Sequence, residues 1–288
     1  MTAATTRAAA NLELLLSDFS LEMTGKDVEE LDAARPAIPA GTRINVTFLG
    51  NEDLTMRRTA ARMVRAAGFR PVPHVSARRL ESRAALEAFL SALRVDDAAE
   101  QIFAVGGDPG TPHGPYADAL SVIESGVLEE YGVRQVSIAG YPEGHPGIPD
   151  DVLWPALEAK HAALTGRGLA GEIITQFGFD VDPVLDWIER VRDRGIEMPV
   201  RVGVPGPAGV RRLLRFAARF GVGTSTSIAR KYGLSITNLM GTAGPDRLLH
   251  ALAADYHPER HGEVKLHFYT FGGLRATTEW ITEFRRNT

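Results

Sequence analysis

The sequence predicts an α/β fold in which eight parallel strands and their helices close into a (β/α)8 TIM barrel. Eight short β-rich runs recur along the 288 residues, and most are followed by a turn and a stretch with helical periodicity. No Gly-x-Gly-x-x-Gly follows the first run and no Gly-x-x-x-x-Gly-Lys-Ser/Thr occurs, so the nucleotide motifs of a doubly wound open sheet are missing. We therefore favour the barrel over the open sheet, which is the main alternative.

The eight runs are spaced so that most intervals hold one helix. The predicted strands are Phe19–Met23, Arg43–Leu49, Pro71–Val75, Gln101–Val105, Gln135–Gly140, Glu172–Phe177, Val200–Val204 and Lys265–Tyr269. The predicted helices are Thr55–Ala67, Ser82–Leu93, Ala117–Ser125, Asp151–Thr165, Pro183–Arg194 and Ala208–Phe220. We expect one domain over residues 1–288, with residues 1–10 as a loose N-terminal tail or the start of a short helix.

Start and stop signals support several helix boundaries. Asp182-Pro183 predicts an N-cap acid followed by proline at the first helical position, and Asp150 predicts a second N-cap. Glycines that tolerate left-handed geometry fall where helices should end, at Gly68, Gly126, Gly132, Gly195 and Gly221. The longest interval is expected to hold extra helices between strands seven and eight, at Ser225–Tyr232 and Asp246–Tyr256.

Composition narrows the classes of partner. A formal net charge of −4 and a pI near 6.1 give no electrostatic reason to expect nucleic acid or an anionic membrane, so small molecules are the expected partners. The absence of cysteine excludes disulfides and thiolate chemistry and fits a cytoplasmic location. No apolar run approaches the roughly 18 residues of a membrane-spanning helix. A homo-oligomer stays open, because no feature fixes the oligomeric state.

A barrel gathers its chemistry at the carboxyl ends of its strands, so the polar residues there are the candidates. Glu22 lies in an apolar run at the end of strand one, where desolvation would raise its pKa unless an arginine or lysine compensates. Such an acid either shuttles protons or forms a structural ion pair. Thr47 and His74, at the ends of strands two and three, are each compatible with ligand binding or with packing.

Two loops rich in glycine and proline follow strands four and five. In the segment 106–110, missing side chains permit close backbone approach and Asp108 is a fixed charge, although a plain turn is equally compatible. The segment 140–146 holds a rigid platform that presents Tyr141, Glu143 and His145. The two loops therefore supply further polar groups to the same end of the barrel.

Chemistry on a heterocycle fits these residues best. Gln176, at the end of strand six, can make two directed hydrogen bonds to an amide-like ring. A metal site made of His74, Asp108, Glu143 and His145 has no recognised ligand spacing, and no Gly-x-Ser-x-Gly elbow marks a serine nucleophile. The residues alone predict a barrel enzyme with redox or transfer activity and without metal.

Two strand-end motifs make the chain resemble the methylenetetrahydrofolate reductase family. Tyr141-Pro142-Glu143-Gly144-His145-Pro146 and Ile174-Thr175-Gln176-Phe177 are specific, and weaker segments follow in the family's order: Ser20-Leu21-Glu22, Val46-Thr47-Phe48, Pro73-His74, Gly107-Asp108 and His267-Phe268-Tyr269-Thr270. The resemblance spans nearly the whole chain. It implies a cytoplasmic enzyme of one-carbon metabolism and methionine biosynthesis. Such an enzyme reduces 5,10-methylenetetrahydrofolate to 5-methyltetrahydrofolate with NADH or NADPH and bound FAD.

The resemblance also implies roles for individual residues. Glu22 matches the acid that protonates the folate as the methylene bridge opens to an iminium, and Asp108 matches the aspartate beside flavin and pterin. Gln176 and Phe177 match the substrate-binding motif. Flavin-site positions are matched at Thr47, His74, Gly107, Tyr141 and Lys160. Hydride would pass from nicotinamide to flavin and then to folate, with ping-pong kinetics.

The chain departs from the family pattern at three places. Gly106 replaces the arginine of an Arg-Gly-Asp segment, an apolar residue near Leu153 replaces an aspartate, and Val210 replaces an aromatic residue after strand seven. Direct hydride transfer from NAD(P)H without flavin, and a barrel that binds folate or flavin without catalysis, therefore stay open. An aldolase with a Schiff-base lysine is disfavoured, because no lysine ends a predicted strand.

Overall fold

A computed structural model describes residues 3–48, 50, 52–222 and 242–288 of the chain, and in it eight strands form a closed barrel. The strands, in chain order, are β1 Ser20–Met23, β2 Arg43–Val46, β3 Arg70–Ser76, β4 Gln101–Val105, β5 Gln135–Gly140, β6 Ala170–Phe177, β7 Val200–Pro205, β8 Ala208–Gly209, β9 Thr242–Ala243 and β10 Val264–Tyr269. Around the barrel they run β1, β10, β7, β6, β5, β4, β3, β2, while β8 and β9 pair separately and antiparallel. The predicted (β/α)8 barrel is confirmed.

Neighbouring barrel strands pair in parallel. Ser20 of β1 lies opposite His267 of β10, and Val200 of β7 lies opposite Val264 of β10. The pairs β2–β3, β3–β4 and β4–β5 are parallel as well. All eight predicted strands are found, with ends that differ by at most three residues, as expected for boundaries read from a pattern.

The helices that follow the strands agree with the predicted order. The described helices are Ala3–Leu16, Val28–Ala34, Leu54–Ala66, Arg83–Val95, Ala119–Glu124, Val127–Glu130, Asp150–Gly166, Val181–Arg192, Val210–Phe220, Asp246–Asp255, Pro258–His261 and Leu274–Asn287. Two short 3-10 turns, Arg35–Ala37 and Ala77–Arg79, add to them. The predicted glycine stops all have positive φ, from 68° at Gly221 to 90° at Gly68.

For the amino terminus, the expected loose tail is wrong and the alternative, the start of a helix, is confirmed. The described residues 3–10 begin the helix Ala3–Leu16, which the side chain of Asn11 ties to the carbonyls of Ala253 and Tyr256. Two predicted helix starts are also wrong. Asp182 is not an N-cap, since its helix begins at Val181, and Pro183 is tolerated because first-turn amides have no helical partner. Asp150 lies inside its helix rather than capping it.

The interval between β7 and β10 holds more than one helix, as predicted. The predicted helix Asp246–Tyr256 is observed as Asp246–Asp255, and Pro258–His261 follows it. The predicted helix Ser225–Tyr232 lies outside the described residues. No described helix has the length and apolar character needed to cross a membrane.

The chain divides into two compact units. The first consists of Met1–Leu21, Gly140–Leu153 and Ile174–Thr288, and the second of Glu22–Ala139 and Trp154–Ile173. In the second unit, the buried carboxylate of Glu172 on β6 contacts β2 and β5. One of its oxygens lies 3.0 Å from Nη1 of Arg43 on β2, and the other accepts a 2.8 Å hydrogen bond from Ser137 on β5. The buried charge of Glu172 is thereby both paired and hydrogen-bonded.

Candidate active site

In the second unit, the backbone on both sides of Glu22 is fixed from the segment that follows β2. The carbonyl of Met23 accepts a 2.9 Å hydrogen bond from the amide of Thr47. The amide of Gly25 donates a 2.9 Å hydrogen bond to the buried carboxylate of Glu52. Glu22 itself is half-buried at the carboxyl end of β1. The position of its backbone is therefore fixed, and its side chain keeps some access to solvent.

Two side chains at the carboxyl end of β2 carry buried oxygen atoms that have no hydrogen-bond partner among the described residues. Asn45 lies in β2, Thr47 directly follows the last residue of that strand, and their side chains are 1% and 8% exposed. In the part of the chain that the structure describes, neither Oδ1 of Asn45 nor Oγ1 of Thr47 has a hydrogen-bond partner. Buried polar atoms are nearly always satisfied in native proteins, so this pair is suited to bind a ligand or an ordered water.

The ends of β3 and β4 are packed too closely for a side chain at Gly107. This glycine has φ +90°, and a Cβ built on it would lie 2.1 Å from Oγ of the buried Ser76. Nearby, the ring of His74 meets Phe103 edge-on, with 4.7 Å between the ring centroids. Only glycine fits position 107 without strain, which keeps the backbone of this loop open to close approach.

Asp108 is held by an arginine that the sequence patterns did not single out. Arg79, in the turn after β3, donates from Nη2 to Oδ2 of Asp108 at 2.9 Å and from Nε to Oδ1 at 3.3 Å. The carboxylate side chain is still 71% exposed. Position 106 has no cation, but the structure thus brings one to the same loop from β3. In sequence, Arg78-Arg79 is indistinguishable from an ordinary solvated pair.

Arg79 belongs to a stacked cluster behind Asp108. Its guanidinium carbon lies 5.2 Å from the centre of the Phe48 ring, and that of Arg57 lies 3.5 Å from the same ring. Burial lowers the pKa of Arg57 to about 10, an effect that the nearby carboxylate of Glu52 partly offsets. Cation–π contacts of this kind stabilise a planar guanidinium against an aromatic ring.

Arg78 connects the turn after β3 to the loop after β4 through hydrogen bonds. Its amide donates to the carbonyl of Gly106 at 2.9 Å, its carbonyl accepts from the amide of His113 at 2.9 Å, and its Nε donates to the carbonyl of Ala117 at 2.7 Å. The turn that carries Arg79 and the loop that carries Asp108 are therefore one braced structure.

Lys160 lies half-buried in the helix Asp150–Gly166. Burial lowers its pKa to about 8, and the negative charge of Asp118 opposes that shift. Lys160 therefore changes charge just above neutral pH, where most lysines stay protonated.

In the first unit, the loop after β5 is fixed by its own turn. The amide of Gly144 donates to the carbonyl of Tyr141 at 3.1 Å, and Nδ1 of His145 accepts from the amide of Gly147 at 3.1 Å. The rings of Tyr141 and His145 meet edge-on at 5.1 Å. Burial raises the pKa of the Tyr141 hydroxyl and lowers the pKa of His145, so both side chains are held neutral.

Gln176 and Phe177 point to opposite sides of β6. Gln176 is half-buried, and its Oε1 accepts a 3.2 Å hydrogen bond from the amide of Phe177, which leaves the amide NH2 group to donate elsewhere. Phe177 is only 2% exposed and packs against the rings of Phe179, Phe220, Tyr269 and Phe271. Its predicted contact with substrate stays a prediction, and its observed surroundings are an aromatic core.

β10 contributes a buried histidine and a tyrosine to the first unit. Nδ1 of His267 lies 2.9 Å from Oγ of Ser20, and the hydroxyl of Tyr269 donates to the carbonyl of Thr175 at 3.0 Å. A Cβ on Gly203 would lie 2.5 Å from that same carbonyl oxygen and 2.8 Å from the Tyr269 ring. The glycine in β7 therefore makes room for the tyrosine.

Comparisons with known proteins agree with this architecture. Residues 28–281 match the family model described as methylenetetrahydrofolate reductase. Methylenetetrahydrofolate reductase 2 of Saccharomyces cerevisiae is 32% identical over 126 residues, which are 38% of this chain and 20% of that protein. Methylenetetrahydrofolate reductase (NADH) 1 of Arabidopsis thaliana is 29% identical over 133 residues, which are 41% of this chain and 22% of that protein. The matched segments thus span about a fifth of these relatives.

A solved structure supports the fold alone. The crystal structure of dihydropteroate synthase from Thermus thermophilus in complex with 6HMPPP has a TM-score of 0.50 and 13% identity, covering 96% of this chain and 94% of that one. The family model, by contrast, covers most of the sequence, including every barrel strand from β2 to β10. The chain belongs to the methylenetetrahydrofolate reductase family.

Proposed function

We propose that this chain interconverts 5,10-methylenetetrahydrofolate and 5-methyltetrahydrofolate with NADH or NADPH as the hydride donor or acceptor. The observation that carries the proposal is the family match over residues 28–281, together with Glu22 and Gln176 at the carboxyl ends of β1 and β6. The names of the relatives describe this reaction, and one of them names NADH. Catalytic groups that work in one direction also work in the other, so both directions are included.

Glu22 is the proposed acid. Its carboxyl group would donate a proton to the folate nitrogen that leaves the methylene bridge, so that the C–N bond breaks and an iminium carbon forms to accept hydride. The hydrogen bonds at Met23 and Gly25 support this role, because they fix the backbone from which the acid projects. In the reverse direction the carboxylate would take that proton back.

Gln176 is the proposed substrate-orienting residue. Its Oε1 is already bonded to the amide of Phe177, so the side-chain amide has one orientation and presents its NH2 group as a donor. A fixed donor suits the carbonyl groups of a pterin or nicotinamide ring. Phe177 would support that position from the aromatic core behind it.

The residues at the strand ends also fit FAD. Thr47 offers a buried hydroxyl without a partner, Gly107 leaves backbone groups open to approach, and Lys160 supplies a positive charge for a phosphate at neutral pH. His74, Asp108 and Tyr141 complete the proposed set. When bound, FAD would supply a two-electron carrier between nicotinamide and folate, and the two substrates would then react in turn.

Direct transfer from NAD(P)H without FAD is the second candidate. It is favoured by Gly106, which places no cation directly after β4, and by the pairing of Asp108 with Arg79. The visible spectrum of the purified protein separates the two candidates: flavin absorption supports FAD, and a colourless active protein supports direct transfer.

Substitution of Glu22 by Gln tests the proposed acid. We expect Glu22→Gln to abolish folate reduction, because the amide has no acidic proton to donate. If flavin is bound, transfer from NAD(P)H to an artificial acceptor should persist. Glu29→Gln, at an exposed position on the helix Val28–Ala34, is the matched control and should change neither activity. Equal loss of both activities in Glu22→Gln would exclude the assigned role. Tight folate binding without turnover would instead support a binding protein.

A further inference from the structure

Basic residues are concentrated in one part of a chain that is acidic overall. Residues 198–245 contain seven arginines and lysines and no aspartate or glutamate, whereas the whole chain has a formal net charge of −4. One of the seven, Arg201, is buried in β7 and pairs with Asp18. Two others, Arg230 and Lys231, lie outside the described residues. The remaining four fall on a single helix.

The helix Val210–Phe220 presents these four arginines to solvent. Arg211, Arg212, Arg215 and Arg219, which we call the arginine strip, are all exposed. Among the residues that the structure describes, none of the four is paired with a carboxylate. Four positive charges that are close together repel one another and create a positive local potential. The strip therefore attracts an anion, which would reduce this repulsion.

The strip borders an aromatic ridge on the same helix. With 100° per residue, the arginines span an arc of about 100°, and Phe216 and Phe220 occupy the next part of the helix surface. Beyond the two phenylalanines lie the buried residues Val210, Leu213 and Ala217. The helix therefore passes from a charged face through an aromatic edge into the core.

The aromatic ridge connects the strip to the strand ends of the first unit. Phe216 stacks on Phe271, which follows β10, with ring centroids 4.2 Å apart and an interplanar angle of 11°. Phe220 meets Phe177 of β6 at 5.8 Å. Nη1 of Arg212 donates to the carbonyl of Phe271 at 2.7 Å. The strip thus lies beside the strand end that carries Gln176.

We propose that the arginine strip binds the anionic group, carboxylate or phosphate, of a ligand whose ring lies at the ends of β6 and β10. Guanidinium groups bind both carboxylate and phosphate through paired N–H donors. The stacked phenylalanines provide an apolar surface for the part of the ligand that joins its ring to its anionic group. The inference rests on the proposed function, because that function supplies the two ligands that carry such an anion. They are a folate, with its glutamate carboxylates, and a nicotinamide dinucleotide, with its phosphates.

Calorimetric titration of the 288-residue chain at low salt tests the strip without requiring turnover. The probes are 5-methyltetrahydrofolate, NADPH, and a tetrahydropterin that lacks the glutamate group. The double variant Arg215→Gln/Arg219→Gln should bind one anionic probe about 10-fold more weakly than the wild type, because charge-assisted hydrogen bonds are lost. The wild-type affinity for that probe should fall with added salt, and the affinity of the variant should fall less.

The identity of the weakened probe names the source of the anion. Weaker 5-methyltetrahydrofolate with unchanged tetrahydropterin assigns the strip to carboxylates, and weaker NADPH assigns it to phosphates. The charge-matched control is Arg70→Gln/Arg286→Gln, which removes two exposed arginines from the amino end of β3 and from the helix Leu274–Asn287. The control should bind every probe as the wild type does.

Three results would overturn the proposal: unchanged binding of all probes by the Arg215/Arg219 variant, an equal loss in the control, or no binding of an anionic probe by the wild type. Thermal melting checks that the double variant is folded, and the single variant Arg215→Gln gives the same readout if it is not. Failure of the proposed function would look different. The wild type would then bind the probes but show no turnover.

Discussion

Arg79 holds Asp108 through two hydrogen bonds, from Nη2 to Oδ2 at 2.9 Å and from Nε to Oδ1 at 3.3 Å. The arginine comes from the turn after β3 and the aspartate from the loop after β4. A ligand that reaches this loop therefore meets an ion pair with no net charge, braced by Arg78 on the same turn. The loop after β4 thus has no cation at position 106 and receives one from the turn after β3.

Arg79→Gln should affect ligand binding more than stability. The pair is largely open to solvent on the Asp108 side, so its loss should cost less than about 1 kcal/mol in the free energy of unfolding. Removing the cation leaves Asp108 with an unbalanced negative charge, and we expect kcat/KM for NAD(P)H to fall about 10-fold. Urea unfolding and steady-state kinetics measure the two effects. Arg65→Gln, which breaks the exposed pair with Asp97, is the control and should leave the kinetics unchanged.

Gly107→Ala should destabilise the protein strongly. A side chain at φ +90° is strained, and the new Cβ would collide with Oγ of Ser76, so we expect a loss of about 1–3 kcal/mol in unfolding free energy. Gly110→Ala in the same loop is the control, since nothing lies within 4 Å of a Cβ built there. Equal stability of the two variants would contradict the observed geometry.

Thr47→Val should separate binding from stability. The valine keeps the shape and removes a buried hydroxyl that has no partner among the described residues, so stability should be unchanged or slightly higher. Affinity for the ligand that bonds this hydroxyl should fall about fivefold to tenfold. Thr175→Val is the contrasting control: its hydroxyl accepts a 2.8 Å hydrogen bond from the amide of Gly203, and its loss should cost about 1 kcal/mol. A large loss of stability in Thr47→Val would show that the hydroxyl has a structural partner.

Lys160 should impose a pH dependence above neutrality. Its pKa is about 8 in the folded chain and near 10.5 when unfolded, so the unfolded chain binds more protons between these values. The contribution of Lys160 to stability therefore rises with pH across that window. Lys160→Met lacks this contribution, so its stability relative to the wild type should decline from pH 7 to pH 10, measured by urea unfolding at several pH values. A constant difference would show that the lysine is not buried.

Binding of a phosphate-bearing ligand should have the opposite trend. Above pH 8 the lysine loses its charge, so the affinity of the wild type for such a ligand should weaken, while that of Lys160→Met should be low and flat. Titrations of the two proteins across this pH range distinguish a phosphate-binding lysine from one that is merely buried.

The strands could be predicted from the sequence because each is a short apolar run closed by turn residues. Gln101–Val105 and Gln135–Gly140 were predicted to the residue for that reason. The helix Leu274–Asn287 was missed, although Ile281 and Phe284 are buried at helical spacing, because its polar composition resembles a solvated tail. Local sequence patterns thus reveal strands whose apolar residues follow one another directly, and they miss a helix whose few apolar residues are separated by polar ones.

The site could be predicted only in part. Gln176 lies near the end of β6 as predicted, whereas Thr47, predicted inside the strand Arg43–Leu49, follows β2, which ends at Val46. The partner of Asp108 could not be predicted, because Arg79 is 29 residues away and the pairing depends on how two loops meet in space. The stack of Phe216 on Phe271 likewise joins residues on different elements, and no spacing rule reveals it.

Oxidation of NADH and NADPH by the purified protein, with and without 5,10-methylenetetrahydrofolate, tests the central claim most directly. Loss of the reduced nicotinamide absorbance is followed together with chromatography of the folate product. The proposed function predicts oxidation that depends on the folate and yields one 5-methyltetrahydrofolate per nicotinamide oxidised, and little or none of it in Glu22→Gln. Absence of folate-dependent oxidation with both nucleotides, and of the reverse reaction from 5-methyltetrahydrofolate, would contradict it.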